Sequence, residues 1–108
     1  MIFFSSVQVE PILAQNLAIG FKGTINAEVY GMPRKQMEWY KNGNKIASLD
    51  SQGKMIFNDL KRYKIDPRGS LIIEEVLSSD KGFYNLKIIK ESARIEKSAN
   101  IDVGCECI

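Results

Sequence analysis

Turn-forming residues interrupt this chain at short intervals, and between them lie runs of four to nine residues in which apolar and polar side chains alternate. A period of two places successive side chains on opposite faces of an extended strand, whereas a helix repeats every 3.6 residues. Several short alternating runs separated by Gly, Asn, Asp, Ser and Pro therefore predict an all-β sandwich rather than a helical fold. No segment repeats with a period of 20–50 residues, so the pattern describes one unit rather than an array.

Taken in order, Val7-Gln8-Val9 alternates and then meets Pro11, which removes a ladder donor and suits an edge strand that breaks or switches sheets. From Phe21 to Val29 the odd positions Phe21, Gly23, Ile25, Ala27 and Val29 are expected inward and the even positions outward. Met37 to Lys41 forms the next strand, with Met37 and Trp39 on one side, and Asn42-Gly43 marks a tight hairpin back to Lys45–Ala47. The polar stretch from Ser48 to Asn58 has no assigned place, although Met55-Ile56-Phe57 inside it could form a short strand or cover the core edge. Arg62–Ile65 and Ser70–Val76 are predicted to pair across the turn Asp66-Pro67-Arg68-Gly69, with Leu71, Ile73 and Val76 buried. Gly82–Ile89 follows with Tyr84, Leu86 and Ile88 inward, then Ala93–Val103 with Ala99, Ile101 and Val103 alternating.

Length and charge bound what such a domain could do. At 108 residues one core can close without metal or disulfide. A net charge of +2 with no long Lys/Arg run leaves no electrostatic footprint for nucleic acid. No apolar run is long enough to insert in a membrane, no Asn-x-Ser/Thr acceptor occurs, and the start MIFFSS lacks the pattern of an export signal, so the expectation leans to the cytosol. Cys105 and Cys107 fall near the C-terminus, too close together to staple a core and too few for a structural zinc site. With no histidine, no phosphate-binding glycine loop and no nucleophile elbow, catalytic residues, cofactors, metal ligands and a small-molecule substrate are all expected to be absent. Glu74 and Glu75 are adjacent on a strand and point to opposite faces, which prevents them from sharing a proton.

Several motifs align with one family. Ala27-Glu28-Val29-Tyr30-Gly31-Met32-Pro33 matches Cys-x-Val-x-Gly-x-Pro, and Glu38-Trp39-Tyr40-Lys41-Asn42-Gly43 matches a Trp-Tyr/Phe-Lys-Asn-Gly segment. Ser70-Leu71-Ile72-Ile73, Val76 and Asp80-Lys81-Gly82-Phe83-Tyr84 match Ser-Leu-x-Ile…Val…Asp-x-Gly-x-Tyr. Over residues 5–104, with tails at 1–4 and 105–108, the chain resembles the immunoglobulin superfamily, most closely its I-set branch. The resemblance implies an immunoglobulin-like β-sandwich of two antiparallel sheets with Greek-key connections and a core of Ala27, Trp39, Leu71, Ile73, Tyr84 and Leu86. It also implies a tyrosine corner at Tyr84, and an Asp80 that fixes the following turn and pairs with Arg62. The family's two core cysteine positions are Ala27 and Leu86 here, 59 positions apart. Losing that bridge forgoes about 4 kcal/mol of loop-closure stabilisation, to be replaced by aliphatic packing against Trp39.

The functional expectation drawn from the resemblance is a non-enzymatic structural and protein-interaction module like the immunoglobulin domains of intracellular muscle or cytoskeletal filament proteins, located in the sarcomere or cytoskeleton. Its partners would be other proteins or neighbouring domains of the same polypeptide. The alternative is an extracellular adhesion or receptor domain recognising a protein ligand. Candidate partner contacts are Met32, Arg34 and Lys35 in the loop before Trp39, the polar segment Ser48 to Lys54, and the free edges of the first and last strands.

Overall fold

The computed structural model describes residues 8–9, 15–27, 29–30, 35–90 and 93–104. These contain strands β1 (Gln8–Val9), β2 (Gln15–Ala18), β3 (Gly23–Ile25), β4 (Val29–Tyr30), β5 (Gln36–Lys41), β6 (Asn44–Leu49), β7 (Met55–Asn58), β8 (Tyr63–Ile65), β9 (Leu71–Ile73), β10 (Gly82–Lys90) and β11 (Ala93–Gly104). Single 3-10 turns occupy Asp59–Lys61 and Ser78–Asp80, and no α-helix occurs among the described residues.

Two layers form the sandwich. One is a six-stranded sheet in the order β2-β11-β10-β5-β6-β7; the other is β3-β9-β8, with β1 and β4 paired beside it. All pairings are antiparallel except β2 with β11. The first strand therefore does switch partners as Pro11 suggested: β1 pairs with β4, and β2 runs alongside β11. Pro11 itself lies outside the described residues. β2 covers β11 only from Ile101 to Gly104, so among the described residues the outer edge of the last strand before Ile101 has no paired strand; β2 and β7 are the terminal strands of the large sheet.

The inward rows meet as the alternation requires. Met37, Trp39, Leu86, Ile88, Tyr84 and Ile101 from the large sheet share one buried cluster with Ile25, Tyr63, Leu71 and Ile73 from the small one. The expected core residues Ala27, Trp39, Leu71, Ile73, Tyr84 and Leu86 all belong to it. Val76, just past the end of β9, is also fully buried, and its Cγ2 stands 2.7 Å from where a side chain on Gly23 would begin. Gly23 is thus held to glycine by the close approach of a neighbouring element.

Phe21 departs from its expected inward place. The chain turns at Ala18–Phe21, Phe21 N–H donates to the Ala18 carbonyl, and the ring is left 60% exposed. Alternation from Gly23 onward is correct, but the strand begins two residues later than its pattern suggests. It also breaks at Asn26-Ala27 before resuming as β4. At that break the Ser70 hydroxyl takes the place of a ladder partner: it accepts from Ala27 N–H at 2.8 Å and donates to the Ala27 carbonyl at 2.7 Å.

The Asn42-Gly43 hairpin forms as predicted, with both residues at positive φ, 50° and 86°. The unassigned stretch resolves into the end of β6, a turn at Asp50–Lys54 and β7, which pairs with β6 at the sheet edge. Asn58 then guides the crossing to the other layer. Its amide donates to the Tyr63 carbonyl at 2.7 Å and its Oδ1 accepts from Tyr63 N–H at 3.0 Å.

Candidate functional site

At the centre of the sandwich Trp39 is 0% exposed and its indole N–H donates to the Gly69 carbonyl at 2.9 Å. Leu86 is its direct cross-strand neighbour in β10, fully buried, and Ala27 is 3% exposed. The two family cysteine positions are thus apolar core positions, and the ring is anchored by a hydrogen bond to the turn before β9 rather than by contact with sulfur. Trp39 is a packing residue, closed to any ligand.

Tyr84 and Asp80 build the tyrosine corner. The Tyr84 hydroxyl donates to the Asp80 carbonyl, and the Asp80 carboxylate accepts from both Arg62 Nη atoms, at 2.9 and 2.7 Å, and from Leu77 N–H at 2.7 Å. Arg62 also donates to the Glu75 carbonyl and lies 5.3 Å over the Tyr63 ring. Burial by itself would raise the Asp80 carboxyl, but the hydrogen bonds from Arg62 and Leu77 outweigh it and hold the group below its ordinary range. Burial pushes the Tyr84 hydroxyl well above its ordinary value. Both groups stay in one protonation state near neutral pH, which suits a strut and not proton transfer.

The outer face of the large sheet carries a second polar network centred on Glu38. Its carboxylate accepts from Tyr40 Oη at 2.9 Å and Gln36 Nε2 at 3.3 Å, and pairs with Lys45 at 3.4 Å. Lys87 lies 4.7 Å over the Tyr40 ring. Burial raises the Glu38 carboxyl, yet the Tyr40 hydrogen bond and Lys45 bring it below its usual value. Every charge here has a partner.

Met32 and Arg34 of the expected contact loop lie outside the described residues. Lys35 is described: it is half-buried at the mouth of a cleft of about 660 Å³ between the two layers. Met37, Leu49 and Ile65 form apolar walls, while Gln52, Asp66 and Pro67 stand at the rim. The polar segment named from the sequence therefore reaches the same place, since Ser51, Gln52 and Gly53 border the cleft. Asp50 shapes that turn, its Oδ1 accepting from Gln52 N–H and Lys54 N–H at 2.9 Å each, and these bonds lower its carboxyl pKa. Ile65 was not a candidate, and Leu49 entered only as part of the polar segment Ser48 to Lys54. They are distant in sequence from Lys35, and nothing local in the chain signals that their strands converge on it. Among the described residues no group of three or more His, Cys, Asp or Glu side chains could hold a metal ion.

The immunoglobulin I-set domain family model matches residues 7–103. Human vascular endothelial growth factor receptor 1 is 31% identical over 102 residues, covering 89% of this chain and 7% of the receptor. Cardiac-type myosin-binding protein C of Gallus gallus is 27% identical over 95 residues, covering 86% of this chain and 7% of that protein. The chain thus spans a small fraction of the length of these relatives. Among solved structures, the titin domains z1z2 in complex with telethonin superpose with a TM-score of 0.70 at 23% identity, covering 97% of this chain and 51% of that one. With its tryptophan, tyrosine corner and two-layer topology in place, the chain belongs to the immunoglobulin I-set family.

Proposed function

We propose that this domain is a non-enzymatic structural and protein-interaction module of an intracellular filament-associated protein, of the muscle or cytoskeletal kind. The observation that carries the reading is the buried, disulfide-free centre, where Ala27 and Leu86 occupy the positions of the family disulfide and Trp39 is fully enclosed. Exported domains of this size usually retain such a bridge, because oxidising compartments form it and small cores benefit from it. A core completed by aliphatic packing keeps its stability in a reducing compartment. The similarity to myosin-binding protein C supports the same direction. The mechanism is passive: the sandwich acts as a spacer and presents loops and strand edges to neighbouring proteins or domains.

A cell-surface receptor role is the competing reading, favoured by the similarity to the growth factor receptor. Labelling cells that express the full-length host protein with a membrane-impermeant biotin reagent separates the two. The intracellular reading expects no label and co-fractionation with the detergent-insoluble filament pool. Surface labelling with recovery in the detergent-soluble membrane fraction would replace it with the receptor reading.

A further inference from the structure

We infer that the cleft at the Lys35 end of the sandwich is a docking site for an acidic, extended peptide segment that carries an apolar anchor residue. This deepens the protein-interaction reading above and rests on it. The inference begins with strand register. Ile89 of β10 lies opposite Gln36 of β5, so the next step of the same antiparallel pairing sets Lys35 against Lys90. Both continue the inward rows of their strands, after Met37 and Ile88; Lys35 borders the cleft, and Lys90 lies beside it without lining it. Like charges directly opposite each other on one face destabilise a sheet. Neither lysine has an ion pair among the described residues, in contrast to Lys22, Lys45, Lys64 and Lys81, which all do.

Further cations gather around the same opening. Arg94, the second residue of β11, lies opposite Ile89, Arg68 lies in the turn whose Pro67 borders the cleft, and Lys54 closes the Asp50 turn; all three are exposed. The carboxylates among the described residues at this end are Asp50 and Asp66. Each has an oxygen already engaged by backbone N–H groups, Gln52 and Lys54 for the one and Arg68 and Ser70 for the other. Arg34 and Glu91, of opposite sign, lie outside the described residues. The five described cations outnumber the two carboxylates, one of which, Asp50, interacts with Lys54, so this end is net positive among the described residues beside a cleft with apolar walls.

That combination selects a peptide over a nucleic acid. Met37, Leu49 and Ile65 offer an apolar socket suited to an aliphatic side chain, and among the described residues no aromatic side chain borders the cleft to stack a base. Asp66 at the rim opposes a continuous phosphate backbone but leaves room for carboxylates placed near Lys35 and Lys90. Charge complementarity would supply orientation and on-rate, and the socket would supply residence time.

The test uses the 108-residue chain and fluorescence anisotropy with a labelled glutamate-rich peptide bearing one central leucine. Binding that weakens with added salt, and falls about tenfold or more in Lys35→Glu/Lys90→Glu with an unchanged unfolding midpoint, is the expected result. A lysine-rich peptide of the same design should bind that doubly reversed variant better than the unaltered chain. Should the double reversal unfold, Lys35→Gln/Lys90→Gln provides the same comparison with a smaller loss. Equal binding of a peptide with serine in place of leucine would exclude the cleft. Equal binding of single-stranded DNA of matched charge would make the surface a general polyanion binder, and unchanged affinity in both variants would overturn the site altogether. None of these negative results touches the surface-labelling outcome, so the site can fail while the intracellular reading stands.

Discussion

The two ends of this sandwich treat charge in opposite ways. At the Arg62 end, a carboxylate that is 1% exposed is matched by a bidentate guanidinium, a backbone N–H and a neighbouring tyrosine hydroxyl bonded to its own carbonyl. At the Lys35 end, Lys35 and Lys90 follow the last registered pair of β5 and β10, Gln36 with Ile89, near a cleft that Asp66 also borders, and neither lysine has an ion pair among the described residues. The first arrangement satisfies every group and holds the small sheet to the turn before β10. The second leaves electrostatic potential unused by the fold. The groups that stabilise the fold and the proposed recognition site thus lie in different parts of one small domain, and substitutions in the two should have different consequences.

The largest effect is expected at the closed end. Asp80→Asn leaves Arg62 half-buried without its counter-charge and should cost about 3–5 kcal/mol at neutral pH, measured by denaturant titration. The sign of the pH dependence follows from the depressed Asp80 carboxyl. Its stabilisation is present above the ordinary value of 3.8 and is lost as pH falls from there towards the lower folded-state value. The unaltered chain should therefore lose stability more steeply than Asp80→Asn in that acid window. Parallel curves would show that the Arg62 pair is not the acid-sensitive element.

Next comes the disulfide-free middle that both ends share. Leu86→Ala removes the side chain beside Trp39 and should destabilise by about 2–5 kcal/mol, followed through tryptophan fluorescence. A loss below about 1 kcal/mol would mean that the core collapses readily around the indole and that Leu86 is not the replacement for the missing bridge. Tyr84→Phe should cost about 1–2 kcal/mol, because the Asp80 carbonyl loses its buried donor while the ring stays packed. A neutral result would show water replacing that hydroxyl and would weaken the contrast between the ends.

The smallest effect belongs to the open end. Lys35→Gln should change stability by no more than about 0.5 kcal/mol and in the favourable direction, since it relieves the opposition to Lys90. Thermal denaturation reads this directly. A clear loss would reveal a structural partner for Lys35, and the two ends would then be alike.

How much of this was legible beforehand depended on distance along the chain. The inward rows of β5, β10 and β11 and the Asn42-Gly43 turn follow from alternation and from the backbone angles that only certain residues adopt, so they could be read directly. The Arg62–Asp80 pair was also anticipated, through a family resemblance and not through any local rule. The exposed Phe21 was misplaced because a turn at Ala18–Phe21 starts the strand late, and the residues that close this turn include a hydrogen bond to Val76, far along the sequence. The cleft was only partly visible. Lys35 and the Ser48–Lys54 segment, Leu49 included, stood out as candidate contacts, while Ile65 looked like an ordinary strand residue and Lys90 fell just past the expected end of its strand at Ile89.

Local chemistry, then, was sufficient for which residues extend, which reverse the chain and which face inward, because those properties depend on neighbours two or three positions away. The pairing of β7 with β6 and of β2 with β11, and the convergence of Lys35, Leu49 and Ile65 on one cleft, are contacts between segments separated by loops. They are settled only when the two layers close on Trp39, because burial of that shared core, and not any preference of the separate strands, selects one register from the many that alternation allows.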